Sequence, residues 1–200
     1  TLARELGINP ILGRLLVERG ITTAAAARKF FRPQLPELYD PFLMKDMDVA
    51  VARLNKAMGK KERILIYGDY DVDGTTAVAL VYKFIQQFYS NIDYYIPDRY
   101  NEGYGVSYKG VDYAVETGVK LIIVLDCGIK AVDEIAYARE KGIDFIICDH
   151  HVPDDVLPPA VAILNAKRFD NTYPYEHLSG CGVGFKFMQA FAISNGIEFH

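Results

Sequence analysis

Three aspartates fall within five positions of the stretch GDYDVDG: Asp69, Asp71 and Asp73. Like charges this close repel, and turn chemistry alone needs only one of them, so the stretch calls for a positive partner. Further along, LDCG carries Asp126, and CDHH carries Asp149, His150 and His151. Carboxylates suit hard cations such as Mg2+ and Mn2+, while imidazole favours softer transition metals. A mixed aspartate and histidine set therefore points to Mn2+ first, with Mg2+ or Co2+ as alternatives. Two such ions about 3.5–4 Å apart acidify a bound water and clamp both oxygens of an in-line phosphoryl displacement. The chemistry in prospect is metal-assisted hydrolysis of a phosphate ester or anhydride. Each motif has a plainer reading as well: Asp73 before Gly74 as a helix N-cap, and Asp126-Cys127-Gly128 as an ordinary turn. A purely structural account has to explain every cluster at once.

The elements around these residues supply a common edge. RILIYG (63–68), IDYYIP (92–97), LIIVLD (121–126), DFIICD (144–149) and VAILN (161–165) are short and apolar, as strands buried on both faces of a parallel sheet are. Amphipathic stretches over 75–89, 107–117 and 129–141 separate the first four, the last two ended by Gly118 and Gly142. Residues 152–159 read as a proline-containing link. Alternating strand and helix predicts a doubly wound, mostly parallel five-stranded α/β sheet with flanking helices. In such sheets the ligand crevice lies outside the carboxyl ends of the strands. There stand Asp69, Asp71 and Asp73, then Asp98 and Arg99, then Asp126, then Asp149, His150 and His151, then Asn165. In an extended segment Asp69, Asp71 and Asp73 would share one face, with Tyr70 and Val72 opposite, and Gly74 would turn the chain into the next helix.

Residues 1–45 read as a helical N-terminal extension. Asn9 and Pro10 start one helix, Thr22 or Thr23 caps another through Phe31, and three prolines in RPQLPELYDP make a connector. Residues 46–200 form the α/β domain, opened by a helix over 47–58. No apolar run reaches the ~18–20 residues that span a bilayer, and no signal peptide is visible. Three cysteines without a paired framework fit a reduced, cytosolic setting. The net charge of −4 weighs mildly against nucleic-acid binding, an objection that bound divalent cations would weaken. Thr1 in place of Met, and a helix over 185–193 that stops just before the end, suggest a piece of a longer protein.

GDYDVDG, LDCG, CDHH and SGCGVGFK (179–186), in that order on this frame, resemble the motifs of the DHH phosphoesterase superfamily in its RecJ-like branch. The leader ILGRLLVERGITTAAAARKFF and the link LYDPFLMKDMDVAVARL extend the likeness over nearly the whole chain. The resemblance implies a hydrolase that degrades single-stranded DNA from the 5′ end to 5′-mononucleotides, in repair and recombination. It implies two metal sites, Mn2+ foremost, held by Asp71, Asp73, Asp126 and His150 with Asp69 beside them, Asp126 bridging both ions. It places His151 and Arg99 at the substrate phosphate and makes Asp149 the group that fixes a histidine tautomer. Ser179, Gly180, Gly182 and Gly184 become a candidate phosphate loop at a helix N-terminus; tight helix–sheet packing with Lys186 on the surface is the alternative. A further ligand aspartate, a closing second domain and an oligonucleotide-binding domain belong to the family pattern and are not found in the 200 residues, so weak or absent activity of this portion alone is expected. A cytoplasmic location, no membrane, and a single-strand-binding protein or a helicase as partner complete the picture; the oligomeric state stays open.

Two other readings remain. The same site could act on short oligonucleotides, cyclic dinucleotides or pyrophosphate, although relatives with those roles carry a histidine a few residues before the first aspartates, near where Tyr67 stands here. A non-catalytic replication scaffold of the same fold would have lost several ligand residues, and this chain keeps those it can show.

Overall fold

Among the described residues, 1–198, the apolar runs form five strands: β1 Arg63–Gly68, β2 Ile92–Tyr95, β3 Val119–Leu125, β4 Asp144–Cys148 and β5 Ala162–Leu164. In this computed structural model every neighbouring pair is parallel, and the order across the sheet is β2-β1-β3-β4-β5. The chain runs outward from β1 to β2 and then crosses back to β3 on the other side of β1. The carboxyl ends of β1 and β3 therefore flank the topological switch point, where open α/β sheets bind ligands.

Both faces of the sheet are buried, and the strand residues alternate between two cores. Ile64, Ile66, Leu121, Ile123, Leu125 and Ile146 face α4 (Met47–Gly59), α5 (Val72–Gln86) and α8 (Gly180–Asn195). Leu65, Tyr67, Ile122, Val124, Phe145 and Ile147 face α6 (Tyr108–Glu116) and α7 (Val132–Glu140). The helices begin where side chains can take up orphan amides. Asp71, Ser107 and Ser179 cap α5, α6 and α8 by accepting from the amides of Gly74, Gly110 and Gly182. The path from β4 to β5 contains no helix.

The larger compact unit begins at Pro41, and the smaller is Thr1–Asp40. The smaller unit holds α1 (Leu2–Leu6), α2 (Pro10–Glu18, capped by Asn9) and α3 (Ala24–Phe31, capped by Thr23). Leu2, Leu16 and Ala27 form its core. No helix among the described residues is long and apolar enough to cross a membrane.

Candidate metal centre

The ladder hydrogen bonds run one residue past each central strand and so position the site. Asp126 N–H donates to the Cys148 carbonyl at 2.9 Å, and Asp149 N–H to the Leu164 carbonyl at 3.1 Å. Asp126 has φ 61°, a left-handed conformation that aspartate tolerates better than most side chains. Its carboxylate lies against the start of α8, where a Cβ added to Gly180 would stand 2.2 Å from Asp126 Oδ1; only glycine fits there.

Asp126, His150 and His151 offer ligand atoms that all lie within 4.8 Å of one another. His150 Nε2 is 3.2 Å from Asp126 Oδ1 and 3.8 Å from Asp73 Oδ2. The His150–Asp126 approach lacks hydrogen-bond alignment, for Asp126 Oδ1 is buried without a hydrogen-bond partner. Burial first, and then the charges of Asp73, Asp71 and Asp149, push the Asp126 carboxyl up to about 7. Asp69 is fully buried, and neither of its oxygens has a well-aligned donor. Burial raises it too, with the nearby amides of Tyr70 and Gly105 pulling the other way. Buried carboxylate oxygens without donors are costly in a protein interior, and a cation is the group that satisfies several at once. The donor chemistry, oxygen plus imidazole nitrogen, fits a divalent ion of the Mn2+ or Mg2+ type.

The three aspartates of GDYDVDG do not share a face, because α5 begins at Val72 and the segment is not extended through Asp73. Asp71 is the N-cap, its Oδ1 accepting from Gly74 N–H at 2.9 Å, and it is exposed. Asp73, on the first turn, reaches the start of α8 instead. Its Oδ2 accepts from Gly180 N–H at 2.8 Å and its Oδ1 from Cys181 N–H at 2.7 Å. The amides at that helix N-terminus are thus occupied by Asp73 and by Ser179, whose Oγ accepts from Gly182 N–H at 3.1 Å. Gly184 lets α8 lie close on Leu125 and Val81. Lys186, which the packing alternative put on the surface, is buried, and its Nζ donates to Gln189 Oε1 at 2.8 Å.

Asp149 is buried and anchors the CDHH turn. Its Oδ1 accepts from the amides of His150 and His151 at 2.7 and 3.1 Å, and its Oδ2 from Ile129 N–H at 3.0 Å. Burial alone would raise its carboxyl, but the His151 side chain and these amides hold it below the ordinary carboxylate range. An ionised Asp149 can only accept, so the 2.7 Å contact with His151 Nδ1 assigns the proton to Nδ1 and leaves Nε2 facing the site. That bond raises the His151 pKa, against the lowering effect of burial.

Tyr104 reaches this cluster from the loop after β2, and Arg99 lies in the same loop. Tyr104 Oη lies 3.3 Å from His151 Nε2 and 3.3 Å from the Asp126 carbonyl oxygen. A protonated Nε2 donating to Tyr104, whose O–H donates to that carbonyl, satisfies both contacts. Arg99 sits with its guanidinium 5.3 Å from the centre of the Tyr70 ring, a cation–π distance. Sequence reasoning singled out Arg99 but not Tyr104; only its place in the loop leaving β2's carboxyl end would have marked it. The thiols stand apart from this chemistry: Cys127 and Cys148 are buried, with burial pushing both up, and Cys181 is half-buried.

Fold and site together define a parallel α/β domain with a carboxylate and imidazole cluster suited to divalent cations. The DHH family, N-terminal domain, matches residues 63–199. The chain belongs to the DHH family. It is 43% identical over 190 residues to the single-stranded-DNA-specific exonuclease RecJ of Bacillus subtilis, covering 95% of this chain and 24% of that protein. It is 37% identical over 182 residues to the RecJ of Escherichia coli, covering 90% and 31%. Among solved structures, exonuclease RecJ bound to manganese aligns with TM-score 0.70 and 32% identity over 78% of this chain and 39% of that one. RecJ of Thermus thermophilus in complex with Mn2+ aligns with TM-score 0.76 and 25% identity over 98% and 27%. The chain spans about a quarter to a third of the length of these curated relatives.

Proposed function

We propose that this chain is the metal-binding catalytic portion of an exonuclease specific for single-stranded DNA, acting from the 5′ end and releasing 5′-mononucleotides in repair and recombination. The observation that carries the reading is the meeting of Asp126, His150 and His151 at the switch point of a chain so similar to proteins named for that activity. Asp69, Asp71, Asp73, Asp126 and His150 would hold the cations in this reading, with Mn2+ foremost. Bound divalent cations supply Lewis acidity toward the phosphate and a more acidic water. The chain's own groups orient the substrate. His151, with Nδ1 committed to Asp149, would turn its protonated Nε2 from Tyr104 to a phosphate oxygen, a charge-assisted hydrogen bond. Arg99, its guanidinium 5.3 Å from the Tyr70 ring centre, would add a second cation toward the phosphate. The segment of Ser179, Gly180, Gly182 and Gly184 spends its amides on the protein itself, and its part is to hold Asp73 toward His150.

Asp126→Ala or His150→Ala in the full-length protein is expected to abolish Mn2+-dependent digestion of single strands; retained activity removes the two-metal assignment. Comparing long single strands with di- and trinucleotides and cyclic dinucleotides separates this reading from action on small substrates. A cytoplasmic location and contact with a single-strand-binding protein or a helicase belong to the same proposal, tested by fractionation and by co-purification with those two partners.

A further inference from the structure

The loop that carries Arg99 and Tyr104 is tied at both ends to one side chain. Glu102 Oε1 accepts from Asp98 N–H at 3.0 Å, and Oε2 accepts from Tyr95 O–H at 2.8 Å and from Ser107 O–H at 2.7 Å. Tyr95 is the last residue of β2 and Ser107 the cap of α6, so one carboxylate joins the strand to the helix across the loop. Asp98 closes a turn within it: its Oδ1 accepts from the amides of Tyr100 and Asn101, both at 2.9 Å, and its carbonyl from Glu102 N–H at 2.9 Å. Tyr67 secures the far side, donating to the Gly105 carbonyl at 3.0 Å and accepting from Ser107 N–H at 3.2 Å. Glu102 is half-buried and touches neither His151 nor a proposed ligand among its hydrogen bonds. Every donor on it belongs to the frame of the loop, and the loop's exposed residues include Arg99, beside Tyr70, and Tyr104, which reaches His151.

We propose that Glu102 is a positioning residue, which sets Arg99 on Tyr70 and Tyr104 on His151 by clamping the loop between β2 and α6. The inference rests on the exonuclease reading above. The carboxylate gathers three donors, so its removal frees both ends of the loop together, whereas the metal cluster stands on other elements. Loss of Glu102 therefore disturbs the substrate side and spares cation binding.

The test is a double-mutant cycle in the full-length protein, read on single-stranded DNA with Mn2+ and, separately, by calorimetry of Mn2+ alone. Glu102→Ala is expected to lower kcat/KM by about ten- to a hundred-fold, the scale of a misplaced contact group, with Mn2+ affinity within about threefold of wild type. Because Glu102 acts through Arg99 and Tyr104, Glu102→Ala combined with Arg99→Ala should cost clearly less than the product of the two single losses. Glu102→Gln can keep the same three partners, its carbonyl accepting and its amide donating to the hydroxyls, and should restore most of the activity. Independent, multiplicative losses, a parallel loss of Mn2+ affinity, or a Gln variant as impaired as Ala would overturn the proposal. If Glu102→Ala does not fold, Tyr95→Phe removes one donor of the clamp, and unchanged kcat/KM in that variant overturns it equally. A wild-type protein that leaves single strands intact refutes the exonuclease reading itself, a result distinct from active wild type with unimpaired Glu102 variants.

Discussion

Asp126→Asn should stabilise the cation-free protein. Burial and the charges of Asp73, Asp71 and Asp149 push the Asp126 carboxyl from 3.8 to about 7. A carboxyl raised on folding binds its proton more tightly in the native state, so stability falls as pH climbs from the unfolded value to the folded one. At about 1.4 kcal/mol per pH unit, the gap amounts to about 4 kcal/mol, fully lost above pH ~7 and regained below pH ~4. Asparagine has the shape of the protonated acid, cannot ionise, and tolerates the left-handed φ of 61° at this position. Urea unfolding in chelator should therefore show the variant more stable by up to about 4 kcal/mol at pH ~8, the two proteins converging near pH ~4. Added Mn2+ should narrow that gap, because ligand binding at about 100 times Kd stabilises by about 2.7 kcal/mol and the variant loses an anionic ligand. Parallel stability curves in chelator across that pH range would refute the claim that this carboxylate is held against its own electrostatics.

Gly180→Ala, whose Cβ would stand 2.2 Å from Asp126 Oδ1, should destabilise by about 1–3 kcal/mol and weaken Mn2+ binding in calorimetry. Asp149→Asn removes the carboxylate that raises His151; the loss of activity as His151 deprotonates should then move to lower pH in the pH–rate profile. Asp46→Ala deletes an acceptor that meets Arg168 Nη1 at 2.5 Å and Ile163 N–H at 3.2 Å, and should cost about 1.5–3 kcal/mol in urea unfolding with little effect on cation affinity.

The five strands were legible because their signal is local: RILIYG or DFIIC is apolar on both faces, and such a run in a parallel sheet has one place to go. The clustering of polar residues on one edge followed from parallel direction alone, so Asp126, His150 and His151 could be grouped before any distance was known. The cap at Asn9, and a cap at Thr22 or Thr23, were readable for the same reason, an oxygen two or three residues before a free amide. Not legible was how the aspartates of GDYDVDG divide their work. Asp71 satisfies Gly74 N–H and starts α5 at Val72, which rotates Asp73 toward α8. That choice depends on where α8 lies, more than a hundred residues later in the chain, and no local pattern reports it.

The amino-acid sequence by itself therefore determined the elements, their parallel arrangement and the chemical inventory of the site, since all three rest on short-range periodicity and residue type. The tertiary structure alone decided which oxygen faces which donor. It committed the start of α8 to Asp73, buried Lys186, left Asp69 and Asp126 without aligned donors, and brought Tyr104 to His151. Those outcomes are set chiefly by packing across the sheet, contacts between residues distant in the chain whose strength depends on burial.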